Sequence, residues 1–191
     1  MMWLVGNRGM LGTEVEALLR KRDIPYIASD KEVDITDQSR LWRFIARHPL
    51  SWIINCSAYT AVDRAEDEPE AAFRINADGP RYLAEIAQRK GAKLVHISTD
   101  YVFDGTKDGA YVETDTRISW HDFACEIYDM ARKRQVLTKE VLIQKIPTQG
   151  YPTKARRPQN SCLSKEKIRN TFSVAINPWK EGLKDFFAGE F

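Results

Sequence analysis

Short apolar runs alternate with amphipathic helical stretches through residues 1–97, and this alternation restricts the fold more than any other feature of the sequence. The runs at residues 3–5, 26–28, 52–54 and 94–97 have the length and composition of buried strands. Between them, apolar residues recur at the spacing of one helix face. Because strands that alternate with helices are typical of βαβ units, we predict an α/β protein with a doubly wound parallel sheet of the Rossmann type.

The chain changes character after Thr116. Residues 1–116 contain 15 Lys and Arg against 19 Asp and Glu, whereas residues 117–191 contain 14 against 8, so the two parts carry net charges of −4 and +6. We therefore predict one domain over residues 1–116 and a small α+β region over residues 117–191.

The second region has its own helix and strand signals. Ser119 and Asp122 have the spacing of a helix cap, and Asn177 with Pro178 is expected to open a final helix. We also expect a small strand at residues 141–143 and a short helix near Lys165.

Charge and composition exclude several classes of protein. A net charge of +2 over 191 residues argues against a nucleic-acid partner. No apolar run approaches the roughly 18 residues of a membrane span, and the first residues do not resemble a signal peptide. The three cysteines are far apart, which argues against a disulfide framework and against a metal site. We expect a cytoplasmic protein with no membrane partner.

Residues 6–12 read Gly-Asn-Arg-Gly-Met-Leu-Gly and lie between the first predicted strand and the first predicted helix. Glycines at this spacing permit a tight turn and let the backbone approach a pyrophosphate, which the helix N-terminus then attracts. We therefore predict a dinucleotide-binding loop whose cofactor-binding residues are Gly6, Asn7, Arg8, Gly9, Met10 and Leu11.

Asp30 follows Gly12 by 18 residues, close to the spacing at which a carboxylate binds the adenosine ribose. That carboxylate favours NADH, whereas the neighbouring Lys31 would suit the 2′-phosphate of NADPH, so both cofactors remain open. Asp34 and Ile35 stand where an acid and an aliphatic side chain would flank the adenine. Such a pair is more often a surface acid beside a core residue.

Several stretches together resemble one family. In the first part they are residues 6–12, 34–37, 55–63 and 76–80, and residues 97–105, which read Ile-Ser-Thr-Asp-Tyr-Val-Phe-Asp-Gly. Together with residues 111–115, 119–124 and 151–158, these stretches are distributed along nearly the whole chain. In these stretches the chain is similar to the extended short-chain dehydrogenase/reductases, and within them to the dTDP-4-dehydrorhamnose reductase family.

The resemblance implies a role for each matching position. The glycine loop would hold the pyrophosphate of NADPH or NADH, with Asp34 and Ile35 at the adenine. The turn after the third strand would pass beside the nicotinamide, through Cys56, Ser57, Ala58 and Tyr59. Thr99 would be catalytic, with its hydroxyl on the substrate carbonyl. The nucleotide-sugar substrate would be bound by Tyr101, Phe103, Arg156, Arg157 and Asn160.

The reaction that the resemblance implies is reduction of the 4-keto group of dTDP-4-dehydro-L-rhamnose to give dTDP-L-rhamnose. The superfamily's proton donor is a Tyr with a Lys four residues later, and this chain contains no Tyr-x-x-x-Lys. The nearest pattern is Tyr128 with Arg132. Between Thr116 and Arg117 we expect that roughly 60–100 residues, including a fifth strand, are missing.

Three explanations fit the missing segment. The sequence omits a segment that the whole protein contains; or the chain is a deletion variant that binds cofactor without catalysis; or a second chain covers the open edge of the fourth strand. We favour the first because every flanking motif is intact. The alternative to a reductase is a non-catalytic dinucleotide-binding or regulatory protein, and a homodimer is one arrangement that would cover the open edge.

Overall fold

A computed structural model of the chain describes residues 1–99, 119–155, 157 and 163–189. The chain divides into two compact units, Met1–Ser98 and Thr99–Phe191. The boundary predicted between Thr116 and Arg117 lies outside the described residues and stays a prediction.

The first unit is built on a four-stranded parallel sheet in the order β2-β1-β3-β4. Its strands are β1 (Met2–Val5), β2 (Tyr26–Ser29), β3 (Trp52–Asn55) and β4 (Lys93–His96). The strands end in register, because Val5 pairs with Ser29 on one side and with Asn55 on the other, and Asn55 pairs with His96. The predicted α/β parallel sheet is confirmed, and all four carboxyl ends meet at one edge.

Helices connect successive strands of this sheet. They are α1 (Met10–Lys21), α2 (Gln38–Ile45), α3 (Val62–Ala65), α4 (Pro69–Phe73), a π-helical turn (Arg74–Asp78) and α5 (Gly79–Lys90). The sequence predicts one long helix from about Glu70 to Gly91, and the structure divides it at the π-helical turn. The predicted C-terminal end is confirmed, since Gly91 closes α5 with a φ of +64°.

The core of the first unit is an apolar cluster between the sheet and its helices. Trp3 is fully buried, and its indole N–H donates to the Ser29 hydroxyl at 2.9 Å, so its one polar atom is satisfied. The other buried members are Val5, Val33, Ile35, Leu41, Ile45, Leu50, Ile53, Leu83, Ile86 and Ala87.

The regular structure in the described part of the second unit is helical. It contains α6 (Trp120–Lys133), a 3₁₀ turn (Thr148–Gly150), α7 (Glu166–Phe172) and α8 (Trp179–Ala188). The predicted cap is confirmed, because the Ser119 hydroxyl accepts from the Asp122 N–H at 3.0 Å.

The strand predicted at residues 141–143 is wrong. These residues have no regular structure in the part of the chain that the structure describes. Leu142 is 81% exposed, and an apolar triplet without a neighbouring strand has no ladder to complete.

Two of the helices in the second unit pack on each other. Phe123 of α6 meets Trp179 of α8 edge to face, with ring centroids 5.6 Å apart, and Lys180 lies 3.3 Å from the Glu126 carboxylate. None of the helices in the described ranges has the length and apolar character needed to cross a membrane.

Candidate dinucleotide-binding site

The sheet has a topological switch point between β1 and β3. From β1 the chain crosses to β2 on one side, and it later returns to β3 on the other side. The connections after β1 and β3 therefore leave in opposite directions, and a crevice is expected at the carboxyl edge between these two strands. Open α/β sheets bind their ligands at such crevices.

Gly6 fixes the loop after β1. Its φ is +79°, which favours glycine, and its N–H donates to the Ser29 carbonyl at 2.7 Å. A Cβ at this position would lie 2.7 Å from the Ser57 nitrogen. Gly6 thus lets the loop after β1 touch the loop after β3.

Gly12 lets the first turn of α1 press on the same loop. A Cβ there would lie 2.0 Å from the Gly6 carbonyl oxygen. At Gly9 the corresponding distance to that oxygen is 3.5 Å, and it is the nearest heavy atom outside the immediate chain neighbours. Gly9 therefore presents a backbone surface with little above it, as close approach of a ligand requires.

The N-terminus of α1 suits a phosphate group. Gly9 caps the helix without a side-chain hydrogen bond, and the first turn contains no acidic residue. The N–H groups of this turn and the positive end of the helix dipole are therefore directed at the crevice. Met10 is 94% exposed and Leu11 is 44% exposed at its edge. The residues present fit the pyrophosphate of a dinucleotide.

Asn7 is tied to α1 and β2 rather than to the crevice. Its side-chain amide donates to Glu16 at 2.8 Å, and the same carboxylate accepts from Tyr26 and Arg20 at 2.9 and 2.6 Å. These hydrogen bonds, that of Asn7 first, hold the pKa of Glu16 below its ordinary value. The Asn7 side chain thus anchors the loop, and the cofactor contact predicted for Asn7 stays a prediction.

The residues after β2 are linked through Glu32. The Glu32 carboxylate accepts from the Asp30 N–H at 2.7 Å and lies 3.7 Å from the Arg8 guanidinium. The Asp30 N–H is the first cause that lowers the pKa of Glu32. The cofactor roles of Asp30, Lys31 and Arg8 stay predictions, and Glu32, which sequence reasoning missed, is the acid beside Arg8.

Asp34 and Ile35 are engaged with the fold. The Asp34 carboxylate accepts from the backbone N–H and the hydroxyl of Thr36, both at 2.8 Å. Ile35 is a buried member of the core, where it packs so closely on Gly79 that a Cβ there would lie 2.5 Å from its Cδ1 atom. This is the arrangement of a surface acid beside a core residue. The adenine contact of the pair stays a prediction.

Two asparagines hold the loop that follows β3. Asn55 is fully buried, and its side-chain oxygen accepts from the N–H and the hydroxyl of Ser57 at 3.0 and 2.6 Å. Asn76 forms a pair of hydrogen bonds with the Tyr59 backbone, at 2.8 Å to its N–H and 3.1 Å to its carbonyl. Burial raises the pKa of the Cys56 thiol between them. The residues predicted at the nicotinamide thus form one fixed loop.

Sequence reasoning gave Asn55 and Asn76 no individual role. The available signal was the asparagine at the end of a buried strand with Ser57 two residues later, since Asn side chains bind the backbone two residues on. Asn76 bonds across 17 residues of sequence, and no local pattern indicates such a partner.

The residues predicted at the substrate are described only in part. Thr99 follows the end of β4 by three residues and is exposed. Arg157 is also exposed. Tyr101, Phe103, Arg156 and Asn160 lie outside the described residues. The catalytic and substrate-binding roles of this group stay predictions.

A parallel sheet with a glycine loop and an uncapped helix at its switch point defines an α/β nucleotide-binding protein of the Rossmann class. Comparison with known proteins assigns the family. The model of the family described as RmlD substrate binding domain matches residues 1–118 and 114–190. The chain therefore belongs to this family, that of the dTDP-4-dehydrorhamnose reductases.

Two of the relatives that match this chain are dTDP-4-dehydrorhamnose reductases. A dTDP-4-dehydrorhamnose reductase of Aggregatibacter actinomycetemcomitans is 27% identical over 286 residues, covering 97% of each chain. One of Streptomyces griseus is 43% identical over 113 residues, covering 58% of this chain and 37% of the relative. Over that contiguous match the chain spans well under half of the relative's length.

Solved structures share the fold. A dTDP-4-dehydrorhamnose reductase from Bacillus anthracis, in complex with NADP, superposes with a TM-score of 0.85 and 23% identity over 98% of each chain. An ortholog from Clostridium acetobutylicum gives the same TM-score, identity and coverage. These likenesses establish that the architecture is that of the reductase fold.

The alignments also mark an internal gap. The match to the Aggregatibacter protein extends over 286 positions, whereas 97% of this 191-residue chain is only about 185 residues. About 100 positions of that relative therefore have no counterpart here. The two family matches meet at residues 114–118, which include the point where the sequence predicts a missing segment.

Proposed function

We propose that this chain binds NADPH in the crevice between β1 and β3 and belongs to an enzyme that reduces the 4-keto group of dTDP-4-dehydro-L-rhamnose. The observation that carries the proposal is the uncapped N-terminus of α1 beside Gly9, with Gly6 and Gly12 pressed against the neighbouring loops. Membership of the reductase family supports the choice of substrate.

The cofactor supplies the hydride when it is bound. The chain's own part is to hold the pyrophosphate on the N–H groups of α1 and to keep the Cys56–Tyr59 loop in place through Asn55 and Asn76. The Thr99 hydroxyl would donate to the carbonyl oxygen and stabilise the negative charge that develops there. Arg157, with Arg156 and Asn160, would bind the diphosphate of the nucleotide sugar, because guanidinium groups pair with phosphates in bidentate fashion.

NADPH is preferred over NADH in this proposal for two reasons. Arg8 and Lys31 are exposed cations on the loops after β1 and β2, so both side chains are accessible to the 2′-phosphate of NADPH. In addition, the related Bacillus anthracis structure contains NADP. The Arg8 guanidinium lies 3.7 Å from Glu32, a long ion pair that a phosphate would replace.

A second candidate function is cofactor binding without catalysis. It is favoured by one observation, the gap of about 100 positions relative to the Aggregatibacter protein. With no Tyr-x-x-x-Lys in the sequence, the chain has no such pair to protonate the developing alkoxide. A non-catalytic regulatory protein would retain the crevice and lack turnover.

NADPH binding and NADPH oxidation separate the two candidates. Calorimetric titration is expected to show saturable NADPH binding in the micromolar range, typical of cofactor sites. Oxidation at 340 nm after addition of dTDP-4-dehydro-L-rhamnose would establish the reductase, whereas binding without oxidation would establish the non-catalytic alternative. Absence of NADPH binding would refute both. An intact mass above 22.0 kDa for the protein made in its own cells would show that the missing segment is present there.

We also propose a cytoplasmic location and a homodimer. The location is supported by the free thiols of Cys56 and Cys125, since reduced thiols are typical of that compartment. The dimer is supported by β4, which is the last strand of the described sheet.

A further inference from the structure

His96 at the end of β4 lies beside Asn55 at the end of β3. The Asn55 side-chain oxygen accepts two hydrogen bonds from Ser57, one of them from the backbone N–H. Because a backbone N–H only donates, the orientation of this amide is fixed: its oxygen faces Ser57 and its NH₂ group faces the other way. On that side the Asn55 nitrogen lies 3.1 Å from Nδ1 of His96.

This geometry determines which nitrogen of the neutral His96 ring carries the proton. The Asn55 NH₂ group donates, so Nδ1 has to accept, and the single ring proton of the neutral imidazole is then on Nε2. A doubly protonated ring has a donor on both nitrogens, so turning the ring over does not restore an acceptor. The Asn55 amide cannot turn over either, because its NH₂ group would then face the Ser57 N–H.

Ser57 carries the effect to the glycine loop. A Cβ at Gly6 would lie 2.7 Å from the Ser57 nitrogen and 2.8 Å from its Cα atom. The backbone of Ser57 is therefore in direct contact with the start of the dinucleotide-binding loop. His96, Asn55, Ser57 and Gly6 form one continuous chain of contacts along the carboxyl edge of β4, β3 and β1.

Among the described residues that pack on β4, Asn55 is the hydrogen-bond partner of His96. β4 packs against β3 and α5. On α5, Arg81 pairs with Asp78 and Glu85, Arg89 lies over the Trp42 ring, and Glu85 also binds Gln38. Tyr82 lies beneath the Arg81 guanidinium, and Lys90 ends the helix. Partial burial lowers the pKa of His96 below its ordinary value of 6.5, which favours the neutral ring.

We propose that His96 is a positioning residue for the cofactor site: in its neutral form, with the proton on Nε2, it holds Asn55 and thereby keeps Ser57 against the glycine loop. Protonation of His96 removes the acceptor, loosens the Cys56–Tyr59 loop and weakens dinucleotide binding. The expected effect on dinucleotide binding rests on the proposed function, whereas the expected tautomer of His96 does not.

The tautomer is measurable without any ligand. In ¹⁵N-histidine NMR spectra at pH 8, His96 is expected to show a protonated Nε2 and an unprotonated Nδ1, assigned by comparison with His96→Asn. A proton on Nδ1 would overturn the proposal. This measurement uses the unmodified chain, so it decides the matter even if a variant fails to fold.

The binding part is tested with NADP⁺, which is stable in acid. In His96→Asn the side-chain oxygen stands near the place of Nδ1 and accepts at every pH. Relative to this variant, the wild-type affinity for NADP⁺ is expected to be equal at pH 8 and about 5- to 10-fold weaker at an acid pH where the ¹⁵N spectra show His96 doubly protonated, the effect of one lost hydrogen bond. The ratio of the two NADP⁺ affinities is not affected by titration of the 2′-phosphate, because both proteins bind the same ligand. His48→Asn is the matched control and should behave as the wild type.

The outcomes keep the two proposals apart. A ratio that does not change with pH would overturn the positioning role while leaving the cofactor site intact. If neither protein binds NADP⁺ at any pH, the proposed function fails, and the NMR measurement alone decides the role of His96.

Discussion

Gly12 and Gly6 permit the close packing of the dinucleotide-binding loop because neither residue has a Cβ atom. A Cβ at Gly12 would lie 2.0 Å from the Gly6 carbonyl oxygen, and backbone cannot move aside as a flexible side chain can. At Gly9 a Cβ meets nothing closer than that same oxygen, at 3.5 Å. Gly12 thus serves packing within the fold, whereas Gly9 leaves access for the ligand.

Alanine substitutions are expected to separate these purposes. Gly12→Ala should lower the free energy of unfolding by about 1–3 kcal/mol, because the helix has to shift away from the loop. Gly9→Ala should leave stability nearly unchanged and weaken NADPH binding at least tenfold, because its methyl group stands where the phosphate approaches. Denaturant unfolding and calorimetry measure the two effects.

Gly182→Ala is the matched control for both, since Gly182 lies in α8 with open space around its Cα atom. It should keep the NADPH affinity and gain a little helix stability. Equal loss of stability in Gly9→Ala and Gly12→Ala would contradict the division of roles.

Because of Glu16, the free energy of unfolding is expected to depend on pH in the acid range. Because hydrogen bonds lower the pKa of Glu16 in the folded state, its contribution to stability is present above its ordinary pKa of 4.5 and is lost as the pH falls through the folded value. Glu16→Gln is expected to lower the free energy of unfolding by about 1–2 kcal/mol at pH 7. The difference from wild type should shrink below pH 4.5, as measured by urea unfolding at several pH values. A difference that persists unchanged at pH 3 would contradict the role of the charge.

At the level of elements, the sequence predicts the positions of the strands far better than it predicts the contacts of the loops that follow them. The runs at β1 to β3 are apolar because helices cover them, and periodicity alone finds them. The contacts that hold the loops after β1 and β3 are only partly local: Asn55 bonds to Ser57 two residues later, whereas Asn76 and Glu16 bond across 17 and 9 residues. Sequence therefore finds the glycine loop, and only the structure shows what holds it.

Among the described residues, β4 is the end strand of the sheet, although its composition is apolar. Its Val95 is 40% exposed, and Ile97 just beyond it is 46% exposed, whereas edge strands of native proteins are ordinarily protected by charges, prolines or covering segments. In this part of the chain, only Lys93 supplies a charge of that kind. The resemblance implies a fifth strand in the missing segment, and such a strand would cover β4.

Self-association through β4 is therefore expected. Sedimentation velocity should show the wild type moving to larger species as the protein concentration rises, and Val95→Lys should suppress this by placing a charge on the edge. Leu18→Lys, on the outer face of α1 with 48% exposure, is the matched control and should associate like the wild type. Association that both variants reduce equally would point to general hydrophobicity instead of the strand edge.

For the whole molecule, the intact motifs on both sides of the Thr116–Arg117 junction favour the interpretation that a longer protein contains a block absent from this sequence. The sequence predicts that block after Thr116, which lies within residues 114–118, where the two family matches overlap. What sequence reasoning could not supply is the number of unmatched positions, about 100, since that comes from the length of the alignment.

Restoring the block is expected to restore chemistry. Grafting the unmatched segment of the Aggregatibacter relative between Thr116 and Arg117 should give oxidation of NADPH in the presence of dTDP-4-dehydro-L-rhamnose, because the segment would supply the proton donor of the family. It should also reduce self-association, because the resemblance implies that the missing segment contains a fifth strand, which would cover β4. In the graft, Thr99→Val should lower turnover by about 100-fold, the effect of losing one donor to the developing oxyanion, with NADPH affinity unchanged. A folded graft that binds NADPH and shows no turnover would contradict the assignment of the missing block to catalysis.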